Sequence, residues 1–463
     1  VVLNLLIKPT WLLVDFLVQE KVSHEQYGIY AALFSLSFLF IHLTDMGINL
    51  YVTKRLSSDQ HNYKGIFANS FTFKLIACII YPFFMVLIGW ILGYEKDKLF
   101  LLFILSFTQA LLQFVLFFRS NFQAKGYFKI DAFASVADKF FLLIIVLPLL
   151  YNGITLSTFI YSILISAVVT FVFFYILIIK LFGWIKPQLD IKSISEILRW
   201  SFPFAVMGVL YAINEKVDMV MVERLGGVDG QKNAGLYAAA YRWLDAFMMY
   251  LWTILPMFFA KFSIHHNNPQ EQQKLLNIGQ IITFIPMLFV ASFVFIYGDK
   301  LFWMFTDSTS HEDLSTMTSL LKILFITALM QGCFVIYGTF LNATGHEKNM
   351  SKIVLLSILL NIVLNYIFIP ISGPFAAAYA TLTSTGTVSL YYIYYLYRKD
   401  TLKIPLFIIV KLFIISVLFI CIFYALTFTE LSWFINSIIA GIFLLIFTYI
   451  IISRDIKNSL KLN

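Results

Sequence analysis

The chain has 463 residues, of which 60% are hydrophobic and 13% charged, and its mean hydropathy is +0.85. Water-soluble domains carry about a quarter charged residues, so the composition excludes an ordinary globular protein. The net charge of +8 is scattered through short loops rather than gathered in a basic tract, which excludes a nucleic-acid partner and points to membrane orientation.

Apolar blocks of a length that crosses a hydrocarbon core as a helix fall near 1–19, 28–50, 69–93, 99–118, 132–151, 155–179, 203–222, 236–259, 278–297, 319–341, 351–370, 374–397, 405–426 and 434–452. Backbone groups in lipid must be satisfied within the segment, and runs such as Ile404–Leu426 lack the alternation of a barrel strand. The sequence therefore predicts an all-α polytopic membrane protein of about fourteen spans. Val1 in place of a methionine predicts a first span lacking its beginning. Cys78, Cys333 and Cys421 fall singly inside spans and suggest neither a disulfide framework nor a metal site. No loop has room for a catalytic domain, and Glu20 and Glu25 read as solvated loop acids, which argues against a glycosyltransferase or polymerase.

Charges inside spans are costly and mark function or burial in pairs. Taken in chain order, the first span carries Lys8, deep enough to meet an anionic group, and Asp15. The second has a helical stripe of Ser35, His42, Asp45 and Asn49, and the third has Lys74 near its end, where snorkelling is expected. Ser106, Gln109 and Gln113 line one side of the fourth span, and Asp131, Ser135 and Asp138 one face of the fifth. The seventh is the most polar: Tyr211, Asn214, Glu215 and Asp218 fall within an arc of about 100°. In the eighth, Arg242 and Asp245 lie one turn apart, with Arg242 suited to a carboxylate or a phosphate. The eleventh repeats a small polar stripe, Ser357, Asn361 and Asn365, of the kind that glues membrane helices together. Tyrosines 391, 392, 394, 395 and 397 form an interfacial belt at the end of the twelfth.

The chain also repeats itself. Tyr27-Gly28-Ile29-Tyr30-Ala31-Ala32 returns as Ala234-Gly235-Leu236-Tyr237-Ala238-Ala239, each copy preceded by an acid-bearing span, and Phe122-Gln123-Ala124-Lys125-Gly126 is answered by Leu341-Asn342-Ala343-Thr344-Gly345. An even number of spans between the copies makes the repeats parallel. The expected organisation is a lobe over 1–182, a linker over 183–202 with a short amphipathic helix at Ile191–Leu198, a second lobe over 203–400 and two further spans over 401–463. Loops rich in Lys and Arg, among them those with Lys54 and Arg55, Arg119 and Lys125, Lys180 and Lys186, Lys348 and Lys352, and Arg398 to Lys403, alternate with acid-bearing ones. This places both termini in the cytoplasm.

Tyr27-Gly28-Ile29-Tyr30, Asp45-Met46-Gly47-Ile48, Phe202-Pro203, Gly235-Leu236-Tyr237-Ala238-Ala239 and Asn342-Ala343-Thr344-Gly345 followed by Asn361 and Asn365 resemble, in this order and spacing, the bacterial polysaccharide transporters of the oligosaccharide-flippase type. The resemblance implies the multidrug/oligosaccharidyl-lipid/polysaccharide exporter fold: two six-helix lobes in a V, plus two extra helices. It implies a transporter, not an enzyme, in the bacterial cytoplasmic membrane, moving an undecaprenyl-pyrophosphate-linked oligosaccharide by alternating access. Its partners would be that lipid-linked substrate, membrane lipids and polysaccharide assembly machinery; no cofactor is expected beyond a coupling ion, proton or sodium. Residues expected to line the polar path are Lys8, Asp15, His42, Asp45, Asp138, Asn214, Glu215, Asp218, Arg242, Asp245, Asn361 and Asn365. A cation-coupled multidrug exporter of the same fold, with Glu215 and Asp218 as the cation site, and a lipid II flippase are the competing expectations.

Overall fold

The computed structural model describes residues 2–49, 52, 63–184, 186–188, 190–265, 267–305, 309–399 and 406–460. The basic loop residues Lys54, Arg55 and Lys403 lie outside them, as does the side chain of Lys8. The described secondary structure is entirely helical, with sixteen α-helices and two short 3₁₀ turns. In order these are α1 Val2–Val22, α2 His24–Leu39, α3 His42–Asp45, α4 Tyr63–Ile91, α5 Lys96–Ala124, α6 Phe128–Ala134, α7 Ala137–Asn152, α8 Leu156–Phe182, α9 Ile191–Leu225, α10 Gly230–Ile264, α11 Pro269–Tyr297, α12 His311–Ala343, α13 Glu347–Ser372, α14 Pro374–Lys399, α15 Leu406–Leu426 and α16 Trp433–Leu460. Helices α2 with α3, and α6 with α7, are broken halves of single spans, so the sixteen reduce to the fourteen segments expected.

Eleven of the fourteen are long and apolar enough to cross a membrane among the described residues. The other three are α1, α9 and α14. They are the segments in which the sequence places Lys8 and Asp15, Asn214 to Asp218, and the hydroxyl run Thr381, Thr383, Ser384, Thr385, Thr387 and Ser389. The short amphipathic helix expected at Ile191–Leu198 is not separate; it forms the first turns of α9.

Local chemistry sets the helix ends. Thr155 accepts from the backbone N–H of Thr158 at 3.3 Å while Thr158 returns the bond, a reciprocal cap that starts α8. Between α1 and α2 a single residue, Ser23, makes the turn at φ 81, an uncommon conformation for a residue with a side chain. So short a turn forces α2 back antiparallel beside α1.

By backbone contacts the chain divides into two compact units. One comprises residues 1–238 with 305–308, the other 239–304 with 309–463. In the first, α4 packs on α5, α5 on α8, α7 on α8, and α9 lies along α2. Phe67, Phe114, Phe117 and Phe118 of α4 and α5, with Phe171 and Tyr175 of α8, supply a chain of aromatic contacts. In the second, α11 packs on α12 and α13 on α14. The last two helices, α15 and α16, join α11 through apolar side chains, including Phe284, Leu288, Ile415, Phe419, Phe423 and Leu444, and through a hydrogen bond that Asn436 of α16 donates to the Tyr297 hydroxyl at 3.1 Å.

Candidate functional site

The polar residues of the first unit collect where α1, α2, α9 and the start of α10 meet. The repeated glycines lie at the centre. A Cβ on Gly28 would fall 1.8 Å from the carbonyl oxygen of Gln231 and 2.7 Å from the nitrogen of Gly235. A Cβ on Gly235 would fall 1.9 Å from the carbonyl oxygen of His24. Each glycine thus presses on the other helix's backbone, an approach only a residue without a side chain permits. Gln19, fully buried, fixes the crossing by donating to the Gly235 carbonyl at 2.8 Å and bonding His24 Nδ1 at 2.9 Å.

An acid is held by a tyrosine on each side of this crossing. The Tyr27 hydroxyl donates to Asp15, 3.0 and 2.9 Å from its two oxygens, and the Tyr237 hydroxyl donates to Asp218 at 3.3 Å. Both carboxylates are buried, 8% and 3% exposed. The partners are 12 residues apart in the first copy and 19 in the second. The one-residue turn at Ser23 brings Tyr27 under Asp15, whereas the longer Gly226 to Asp229 connection lets α9 and α10 pair about one turn deeper. The two copies therefore carry quasi-equivalent Asp–Tyr bonds between antiparallel helices.

The expected polar face of α9 divides. Asp218 turns inward to Tyr237, Glu215 is half-buried and accepts from Tyr211 at 2.7 Å, and Asn214 is exposed. The 100° arc is correct as geometry, but neighbouring helices bury only one edge of it.

Around α3 the structure corrects an expectation. Lys74 does not snorkel: it is fully buried and bonds Asp45 at 2.6 Å, with Asn49 at 3.5 Å. An ammonium out of reach of water needs a carboxylate, and the break between α2 and α3 aims Asp45 at it. His42, on the same short helix, packs against Gly208 of α9, where an added Cβ would sit 2.6 Å from its ring. Glu20, read as a solvated acid, is also buried, at 7% exposure.

Asp138 is half-buried beside Lys139 at 3.5 Å, and Lys139 lies 5.2 Å over the Trp11 ring. It does not share a continuous face with Asp131, because the helix breaks at Ser135 and Val136 and Asp131 pairs with Arg119 at 2.7 Å. In the second unit Arg242 and Asp245 are half-buried on α10. Asn361 and Asn365 are buried, and Asn365 donates to Asn361 at 3.1 Å one turn away on the same helix, α13.

Sequence reasoning missed a clasp at the far end of α9. Glu223, 5% exposed, accepts from the Tyr94 hydroxyl at 2.8 Å. Arg224 stacks 4.4 Å over the Tyr94 ring and donates to the carbonyl of Leu92 at 2.8 Å, where Gly93 turns the chain at φ +78. Burial first, then the Glu223 carboxylate, pushes the Tyr94 phenol well above its ordinary range, so it remains a proton donor at physiological pH. The signal available in sequence was the acid-base pair Glu223-Arg224 shortly before Gly226-Gly227. A second missed group is Gln280, fully buried, which accepts from the Tyr337 hydroxyl at 2.9 Å. Among the described residues no cluster of three or more His, Cys, Asp or Glu side chains is arranged to hold a metal ion.

The described residues thus form an all-helical membrane protein with buried acids on the helices that precede the two repeated motifs. Solved transporters share this fold. A lipid II flippase, MurJ, in an inward closed conformation aligns with a TM-score of 0.77 at 20% identity, covering 98% of this chain and 99% of that one. An inward-facing multidrug resistance transporter of the MATE family aligns at 0.68 and 13% identity, covering 84% and 94%. A transporter of the same superfamily from Pyrococcus furiosus aligns at 0.57 and 14%, covering 84% and 92%. At such identities these likenesses establish the fold. No curated protein sequence matches the chain. The family model described as polysaccharide biosynthesis protein matches residues 1–259, and the MatE model matches 203–367. The chain belongs to the polysaccharide biosynthesis protein family.

Proposed function

We propose that this protein is a flippase that carries an undecaprenyl-pyrophosphate-linked oligosaccharide across the bacterial cytoplasmic membrane by alternating access, with both termini in the cytoplasm. The observation that carries this reading is the family match over residues 1–259 on a chain whose whole length follows a flippase fold. The acids support it. Asp15 and Asp218 are buried in polar bonds that a proton or sodium ion would compete for, so they are the coupling candidates, with Asp218 first. Lys8 and Arg242 supply positive charge for the pyrophosphate, and the two lobes over 1–182 and 203–400 are the bodies that would alternate. The last two helices join the second unit through a largely apolar face, as suits an addition that meets lipid rather than sugar.

Cells lacking the protein should accumulate lipid-linked oligosaccharide on the cytoplasmic leaflet, measured with radiolabelled sugar and a sidedness assay. The intact protein should relieve the accumulation. Arg242→Ala and Lys8→Ala should restore export poorly while reaching the membrane in normal amount. Normal export in the deleted cells, with new sensitivity to cationic dyes, would move the assignment to the drug exporters, a reading favoured by the MatE match over 203–367. Rescue of cells depleted of lipid II transport would favour lipid II as substrate, a possibility raised by the MurJ-like fold.

A further inference from the structure

The start of α13 and the end of α14 enclose a cavity of about 520 Å³, open on one side and lined by Asn349, Tyr391, Tyr394, Tyr395 and Arg398. Its size falls within the usual range for small-ligand sites. Its walls are unusually rich in donors. The Tyr395 oxygen accepts from Asn349 Nδ2 at 2.9 Å, and the Tyr394 oxygen accepts from Arg398 Nη1 at 3.4 Å. Both phenols thus have an acceptor site filled and an O–H proton still to donate. Tyr391 brings a third hydroxyl, its ring 5.8 Å from that of Tyr395. The Asn349 carbonyl oxygen is the acceptor that the lining side chains offer against these donors.

Arg398 is the charged group among the lining residues. Among the described residues neither Arg398 nor the exposed Lys348 and Lys352 forms an ion pair, and the nearby acid, Glu347, is solvent-exposed. A guanidinium fork beside several phenol donors suits a tetrahedral anion. The depth suits a lipid. Tyr394 and Tyr397 are 54% and 79% exposed and Leu390 one turn inward is 68% exposed, so the cavity opens where tyrosines give way to apolar surface.

We infer that this cavity holds the phosphate of an anionic phospholipid headgroup, gripped by Arg398 and the Tyr394 and Tyr395 hydroxyls. Basic pockets at the loop ends of membrane helices take such headgroups, and the donor-rich, acid-free lining rejects cationic ones. The site is independent of the transported substrate.

The test uses the full-length purified protein, titrated with phosphatidylglycerol or phosphatidylcholine and read by native mass spectrometry. The intact protein should retain phosphatidylglycerol in preference. Arg398→Gln should weaken that retention about tenfold, the loss of one charged hydrogen-bonding group, with an unchanged melting temperature. Tyr394→Phe should weaken it less, and Lys300→Gln, which removes a charge elsewhere, should leave it intact. Equal retention of the two lipids, or full retention in Arg398→Gln, overturns the proposal. So does displacement of phosphatidylglycerol by millimolar inorganic phosphate, which would make the occupant a soluble anion, or by undecaprenyl phosphate at equal concentration, which would make it the carrier lipid.

Discussion

Replacing Gly28 by Ala tests the helix crossing most directly. The added methyl would stand 1.8 Å from the Gln231 carbonyl oxygen, and real Cβ contacts essentially never fall under 3.0 Å. The backbones must therefore separate by at least about 1.2 Å along that direction, because the obstacle is main chain and cannot rotate away. Such a separation stretches the Gln19 bond to Gly235, now 2.8 Å, beyond hydrogen-bonding range and loosens the packing around Tyr27 and Asp15. Overpacking of this kind costs about 1–3 kcal/mol. Thermal unfolding of the detergent-purified variant, with glycan export in complemented cells, should report a lower melting temperature and impaired export. Gly235→Ala should behave alike, since its Cβ meets the His24 carbonyl oxygen at 1.9 Å. Gly386→Ala is the control: its nearest neighbour is the flexible end of Met330 at 3.3 Å, so it should melt as high as the parent or higher. If Gly28→Ala and Gly235→Ala melt and export like the parent, the close crossing is not how these helices meet.

The remaining predictions concern buried polar pairs. Lys74→Met leaves Asp45 without its partner and should cost about 3–5 kcal/mol, seen as lost membrane abundance; Asp45→Asn added to it should recover much of the loss, and no recovery would mean that the pair is not what holds Lys74. Asp218→Asn keeps the bond to Tyr237 but removes the charge, so export should lose its dependence on a proton or sodium gradient; a dependence like the parent's would exclude Asp218 from coupling. Comparing it with Asp15→Asn tells whether the two quasi-equivalent acids share that role. Tyr94→Phe strands a buried Glu223 oxygen at a cost of about 1–3 kcal/mol, and faster amide hydrogen exchange at residues 92–95 should reveal the loosened turn.

Much of the architecture was legible in the sequence because membrane folding is governed by a local rule. Each apolar block must satisfy its own backbone, so the number and type of helices can be counted from hydropathy, and fourteen segments were both expected and found. The repeat of Gly28 and Gly235 was also visible, and so were the acids beside it. The same one-dimensional pattern explains why Ser357, Asn361 and Asn365 could be read as a packing stripe: the period alone puts them on one face.

What the sequence could not fix is which partner each polar group meets, because that depends on residues far away in the chain. Lys74 looked like a snorkelling residue until α3 broke and turned Asp45 toward it. Glu223 finds its partner in Tyr94, 129 residues earlier in the chain. Asp218 and Glu215, neighbours on one arc, were separated by the helix that buried only one of them. Periodicity determines the face of a helix; only tertiary packing decides whether that face meets lipid, water or a tyrosine, and in a low-dielectric interior that decision sets which charges exist as pairs.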